Sequence, residues 1–228
     1  MRNFRTEGII IKRRDYGEAD RILTVMTRDY GKLKIKAAGV RKITSRRAAH
    51  IELLNHTILH LYKGNTFAIL TEAKMLSDFS AIKEDFTKVG FAYHVCELVD
   101  GLCPENQENR NVFELLQKTL TNLSGNEQVS LPHYEYATAE IDDYTLGTFG
   151  IGLSGLPDAR FALGDASRLP QVSNEQNGML HEFEFSLLSE LGYWNRENEF
   201  TRNFDTHEMI EDILERKLKS RSIFAKIQ

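Results

Sequence analysis

Residues 31–39 read Gly-Lys-Leu-Lys-Ile-Lys-Ala-Ala-Gly, and apolar and basic side chains alternate strictly from residue 32 to residue 37. Because successive side chains of a β-strand point to opposite faces, this alternation predicts a strand over Lys32–Ala37. Its apolar face comprises Leu33, Ile35 and Ala37, and its basic face comprises Lys32, Lys34 and Lys36. The strand needs an apolar core on one side, and the lysines are expected to face solvent or a ligand.

Four more segments of the first 80 residues have the composition of β-strands. They are Thr6–Arg13, Asp20–Arg28, 55–63 and Thr66–Met75. Five short strands in this stretch predict a small closed barrel of the size of an OB-fold. A five-stranded open sheet is the structural alternative.

From about residue 82 the apolar residues follow a helical spacing. The predicted helices are Glu84–Leu102, 111–123, Met179–Leu191 and Asp205–Leu218, with Ser80 or Ser77 as a cap before the first, Gly125 after the second, and Asp205 as the cap of the last. The predicted fold class is α+β. A five-stranded OB-fold barrel over residues 1–80 is followed by an α-helical region over residues 81–228.

Residues 126–178 interrupt the helical pattern. This segment holds three of the four prolines, with 2 basic and 8 acidic residues, and shows no clear period. A stretch of this length is too long for an ordinary loop, so it is expected to be an irregular insertion whose role is open.

Charge is distributed unevenly along the chain. Residues 1–80 have a net charge of +8 and residues 81–228 a net charge of −12, within a total of −4. A basic part in an acidic chain is typical of contact with nucleic acid through the basic part, although a soluble protein with uneven surfaces shows the same numbers.

The candidate DNA-binding residues are basic side chains of this N-terminal part. They are Lys32, Lys34, Lys36, Arg41, Lys42, Arg14, Arg21, Arg46 and Arg47. Ammonium groups two residues apart on one strand can follow a phosphate backbone, and the loop after residue 39 adds further cations. Exposed strand lysines also serve solubility, which is the alternative reading. Tyr16 and Tyr30, in predicted turns, are the candidates for stacking on bases.

Nothing in the sequence indicates an enzyme, a cofactor or a metal site. The phosphate-binding loop, the zinc-binding His-Glu-x-x-His motif and the nucleophile elbow are absent from the sequence. Cys96 and Cys103 are predicted to be core residues. No apolar run is long enough to span a membrane, and the cytoplasm is the expected compartment.

Several stretches of the sequence resemble one protein family. Residues 6–10 read TEGII, residues 14–24 read RDYGEADRILT, and residues 38–42 read AGVRK. Towards the C-terminus, residues 185–193 read FSLLSELGY and residues 218–224 read LKSRSIF. With these motifs the chain resembles the RecO family of bacterial recombination mediators.

The resemblance implies an N-terminal OB-fold, a helical C-terminal domain and binding to single- and double-stranded DNA. It also implies annealing of complementary strands, with RecR and the acidic tail of the single-stranded-DNA-binding protein as partners in loading a recombinase. Many members of the family carry a four-cysteine zinc module after the Leu-Gly-Tyr motif, but no cysteine follows Cys103 here, so no zinc is expected. Two other functions stay open: an OB-fold module that binds RNA or a protein partner, and an enzyme with residues 126–178 as a lid.

Overall fold

A computed structural model describes residues 3–125, 174–193 and 206–220 of the chain. Most of the predicted irregular insertion and the proposed cap Asp205 lie outside these residues.

The N-terminal part is a closed barrel of β-strands. The strands are β1 (Asn3–Tyr16), β2 (Asp20–Thr27), β3 (Gly31–Ala37), β4 (His56–Lys63) and β5 (Ala68–Ser77). They are ordered β1-β2-β3-β5-β4, and β4 closes the ring against β1. All pairings are antiparallel except the short parallel one between β3 and β5. The predicted five-stranded barrel is confirmed, and the open sheet is excluded.

Strand β1 contains three consecutive isoleucines, Ile9, Ile10 and Ile11, and all three are buried. Its first half pairs with β4 and its second half with β2, and the ladder is irregular between Ile10 and Lys12. Ile10 points into the barrel interior, whereas Ile9 and Ile11 point outward into a core shared with the helices. Both faces of the strand are buried here, which explains an apolar run in place of an alternation.

The remaining elements are helical. They are a 3-10 turn (Ala48–Ile51) in the β3–β4 connection, followed by α1 (Ser80–Lys83), α2 (Phe86–Leu102), α3 (Arg110–Leu123), α4 (Asn174–Glu190) and α5 (Thr206–Leu214). The four predicted helices correspond to α2, α3, α4 and α5 and are confirmed with shifted ends. Asp85 caps α2 by accepting from the N–H groups of Thr87 and Lys88, so the proposed Ser80 or Ser77 cap is wrong. Gly125 follows α3 with φ +81°, as predicted for a helix end.

The helices build a second apolar core against the outside of the barrel. It includes Phe113, Leu116, Phe183 and Leu187 together with Met26 of β2. Cys96 and Cys103 are buried in this core as unpaired thiols, as predicted. Burial raises the pKa of Cys96 to about 12 and that of Cys103 to about 11, which keeps both thiols protonated.

The segment after α5 is tied to α2 through Glu97. Its carboxylate accepts hydrogen bonds from the backbone N–H groups of Lys219 (3.0 Å) and Ser220 (2.8 Å) and from the guanidinium of Arg216 (2.9 Å). Burial alone would raise the pKa of Glu97, but these donors lower it to about 2.

Among the described helices, none is both long enough and apolar enough to cross a membrane.

Candidate nucleic-acid interface

One end of the barrel brings together the β1–β2 turn and residues 38–47. The backbone N–H of Arg41 donates to the carbonyl of Ala19 (2.9 Å), and the N–H of Gly39 donates to Asp20 Oδ1 (2.7 Å). Gly39 has φ +68°, which a side chain would strain at this turn. We call the surface formed by residues 14–21 and 36–47 the basic end of the barrel.

Lys32 does not face solvent, so the prediction of three exposed ammonium groups along β3 is wrong at this position. Its side chain is 7% exposed, and its Nζ donates to the carbonyl of Asp100 near the end of α2. The loop after α2 lies along it, with the N–H of Asn106 bonded to the Lys32 carbonyl (2.9 Å). Burial lowers the pKa of Lys32, and Asp100 acts in the opposite direction. This lysine joins the barrel to the helices.

The other two lysines of β3 remain reachable but each has an acidic partner. Lys34 forms an ion pair with Glu105, and the side chains of both are more than 40% exposed. Lys36 Nζ lies 3.0 Å from Asp20 Oδ2 and 5.3 Å from the centre of the Tyr16 ring. The Lys34–Glu105 pair is exposed and therefore weak, so a phosphate can compete for the Lys34 ammonium group. The Lys36–Asp20 pair is half-buried.

Arg21 and Arg41 share the carboxylate of Asp15. Arg21 Nε lies 3.0 Å from Asp15 Oδ1, and Arg41 Nε lies 3.3 Å from Asp15 Oδ2. The hydrogen bond from Arg21 lowers the pKa of Asp15, while its slight burial opposes this and the charge of Arg41 adds to the lowering. Arg21 also contacts Glu52 (3.2 Å). These two guanidinium groups hold the turn in shape as well as adding positive charge.

Arg47 is a bracing residue of the loop. It donates to the carbonyls of Leu70 and Ala38, each at 2.7 Å, and so fixes the loop to β5. It also lines, with Lys42 and Asp20, an open cleft of about 770 Å³.

Three of the predicted cations are available to a ligand. Arg14, Lys42 and Arg46 are exposed, and their side chains form no hydrogen bond or ion pair with the described residues, although the charge of Lys42 acts on Asp20. Ile43, between Lys42 and Arg46, is fully exposed at 104%. This exposed apolar residue was not part of the predicted site, although its place among the loop cations can be read from the sequence.

Only one of the two candidate tyrosines lies at this surface. Tyr16 ends β1 at the basic end and is 46% exposed. Tyr30 lies in the β2–β3 turn, at the other end of β2, and packs edge-on against Phe4 with ring centres 4.8 Å apart. Tyr16 is therefore the candidate that lies at the basic end, where its ring is beside the Lys36 ammonium.

The comparisons with known proteins agree with this architecture. Residues 1–79 match the family model described as Recombination protein O N terminal, and residues 83–141 match the one described as Recombination protein O C terminal. The chain belongs to the RecO family. The first match spans the whole barrel and the basic end, and the second begins just before α2.

Curated RecO-family relatives match the same part of the chain. DNA repair protein RecO of Roseiflexus sp. is 40% identical over 141 residues, which are 62% of this chain and 50% of the relative. The protein of the same name from Heliobacterium modesticaldum is 40% identical over 116 residues, 51% of this chain and 42% of the relative. That of Dehalococcoides mccartyi strain BAV1 is 34% identical over 129 residues, 57% and 51% of the two chains. The chain thus matches about half the length of these relatives.

Proposed function

We propose that this protein is a mediator of DNA repair and homologous recombination that binds DNA through the basic end of its barrel. The observation that supports the site is the group of exposed cations whose side chains form no hydrogen bond or ion pair with the described residues, Arg14, Lys42 and Arg46, at the same end of the barrel as the exposed Tyr16. The names of the relatives, DNA repair protein RecO, support the role.

The proposed contacts differ in their tasks. Lys42 and Arg46 bind phosphates directly, with Arg14 and Lys36 as further cations of the basic end and Lys34 as a neighbouring cation on β3. Arg21, Arg41 and Arg47 support the shape of the surface through Asp15 and the backbone carbonyls. Lys32 is left out of the DNA site because it is buried against α2. Contacts of this kind read the phosphate backbone and carry no base sequence.

The proposed activity is non-enzymatic annealing of complementary strands. Two single strands repel each other through their phosphates, and a surface that binds both backbones lowers this repulsion. The family resemblance adds RecR and the acidic tail of the single-stranded-DNA-binding protein as partners, recombinase loading as the outcome, and a cytoplasmic location near the chromosome. All of these are part of the proposal.

The test compares variants of the protein in which basic side chains are replaced by uncharged glutamine. Fluorescence anisotropy of a labelled single-stranded oligonucleotide is measured across a salt series for the wild type and for the double variant Lys42→Gln, Arg46→Gln. Each lost phosphate contact should reduce the slope of log K against log salt by about 0.7, so the double variant should lose about 1.4. The control carries Arg110→Gln and Lys217→Gln, which remove two exposed cations from the helical part.

Strand annealing is measured on the same proteins with two complementary oligonucleotides that carry a fluorescence donor and acceptor. We expect the control to anneal like the wild type and the loop variant to be slower. If the wild type does not bind single strands at low salt, the proposal is refuted. Equal or tighter binding of structured RNA without annealing would favour the alternative of an OB-fold module for RNA.

A further inference from the structure

Three helices bring metal-ligating side chains together outside the barrel. His94 comes from α2, Glu184 from α4 and His207 from α5. His94 Nε2 lies 2.9 Å from Glu184 Oε1, and His207 Nδ1 lies 3.3 Å from the same oxygen. All three ligand atoms lie within 4.8 Å of one another. Positions 94, 184 and 207 are too far apart in sequence for any spacing motif to reveal them.

We propose that His94, Glu184 and His207 form a binding site for a divalent metal ion of the zinc class. Two imidazole nitrogens and one carboxylate oxygen are a ligand set that Zn²⁺ accepts, with a fourth position for water. Tetrahedral bonds of about 2.0–2.1 Å place neighbouring ligand atoms about 3.3–3.4 Å apart. The two pairs that include Glu184 Oε1 need to change by about 0.5 Å or less. The two imidazole nitrogens, which lie within 4.8 Å of each other, would have to come to about 3.4 Å.

The surroundings of the three residues provide the outer hydrogen bonds that metal ligands need. The hydroxyl of Thr206 donates to Glu184 Oε2 (2.6 Å), which leaves Oε1 for the metal. His94 Nδ1 lies 2.7 Å from Ser220 Oγ, so that its N–H can donate there while Nε2 presents its lone pair. Ligating imidazoles are oriented in this way by a partner on their other nitrogen. Ser220 is itself held by Glu97 through its backbone N–H.

Burial gives the cluster a closed side and an open side. The side chains of His94 and Glu184 are 2% and 1% exposed, whereas that of His207 is 43% exposed. A metal can enter, and a water can complete its coordination, on the side of His207. The ion would connect α5 to α2 and α4, and it would compensate the negative charge of a buried carboxylate.

The competing arrangement is a hydrogen-bonded cluster without metal. In that case each imidazole donates an N–H to Glu184 Oε1, and metal binding would require each ring to carry its proton on the other nitrogen. A metal titration distinguishes the two arrangements, because a cluster held only by hydrogen bonds should not bind Zn²⁺ and should not become more stable when Zn²⁺ is added.

The test uses the full-length, tag-free protein, stripped of metal with a chelator and dialysed. Titration with Co²⁺ should give the visible absorption of a tetrahedral site, saturating at one ion per chain and bleached by Zn²⁺. Zn²⁺ at about 100 times its dissociation constant should raise Tm by about 5–10 °C. His207→Gln should abolish the Co²⁺ spectrum and the rise in Tm while leaving the protein folded, because this side chain is half-exposed.

His181→Gln is the matched control, since His181 is an exposed histidine on the same helix as Glu184. It should bind Co²⁺ like the wild type. The proposal is overturned if the wild type shows no tetrahedral Co²⁺ spectrum, or if Zn²⁺ leaves its Tm unchanged. It is also overturned if His207→Gln binds the ion as tightly as the wild type.

Discussion

Reversing the charge of Lys32 separates two roles that this residue could have. The sequence places Lys32 in a basic strand face that contacts DNA, whereas the structure places it beneath α2, against Asp100. If the structural position governs its role, Lys32→Glu will act on stability and Lys32→Met will leave DNA binding unchanged.

The size of the stability effect follows from the surroundings of the ammonium group. The Lys32 side chain is only 7% exposed, and its Nζ lies 3.8 Å from Asp100 Oδ1. Two like charges at about 4 Å repel by about 4 kcal/mol at an effective dielectric constant of 20. Removing one partner of a buried pair costs about 3–5 kcal/mol. Asp100 is partly exposed and also pairs with Lys12 (2.6 Å), so we expect Lys32→Glu to destabilise the protein by about 3 kcal/mol, at the lower end of that range. For a chain of this size, that corresponds to a fall in Tm of about 10 °C.

Thermal and urea unfolding measure the effect, with Lys34→Glu as the control. Lys34 occupies the same face of β3, but its pair with Glu105 is exposed, so its reversal should cost about 1 kcal/mol or less. Oligonucleotide anisotropy across a salt series is then measured on Lys32→Met, which keeps the length of the side chain and adds no repulsion. Its salt slope should equal that of the wild type.

One combination of results would refute this reasoning. If Lys32→Glu unfolds within about 0.5 kcal/mol of the wild type, the residue behaves like an ordinary surface position. If Lys32→Met at the same time loses a phosphate contact from the salt slope, Lys32 belongs to the DNA site after all.

Two further predictions concern the packing of the barrel and the C-terminal segment. Gly31→Ala should destabilise by about 3 kcal/mol or more, because φ is +65° and a Cβ would lie 1.7 Å from the Gln107 carbonyl oxygen. Gly17→Ala, with a similar φ and open space, should cost only about 1–2 kcal/mol in urea unfolding; equal costs would contradict the clash. Glu97, with its pKa lowered to about 2, stabilises the fold above its unfolded pKa of about 4.3 and loses this contribution as pH falls towards 2. The Tm difference between wild type and Glu97→Gln should therefore be largest near neutral pH and shrink in acid; a constant difference would rule out this linkage.

The strand pattern of the barrel was predictable because it depends on neighbours within the strand. The alternation from residue 32 to residue 37 correctly identified Leu33, Ile35 and Ala37 as interior residues. It could not identify what covers the opposite face, because the groups that bury Lys32 come from the end of α2 and the loop after it, about 70 residues further on. A local period reports which side chains share a face and gives no information on what packs there.

The candidate interface was predictable in part for the same reason. The loop cations were visible in the sequence. The pairing of Arg21 with Asp15 depends on the register of β1 and β2, and that of Arg41 depends on how the loop after β3 packs on the β1–β2 turn. The cluster of His94, Glu184 and His207 was not predictable at all, because three separate helices build it.

The shared position of Ile9, Ile11 and Met26 in the helical core has a practical consequence for anyone who trims this chain. These side chains leave the barrel wall outward, and once the helices are removed they keep only a few apolar neighbours, such as Leu54 and Phe79. An isolated fragment of residues 1–79 would expose them as a hydrophobic surface patch and would tend to aggregate. Measurements on the barrel are thus better made in the intact chain, or in a fragment whose three outward residues have been replaced by polar ones.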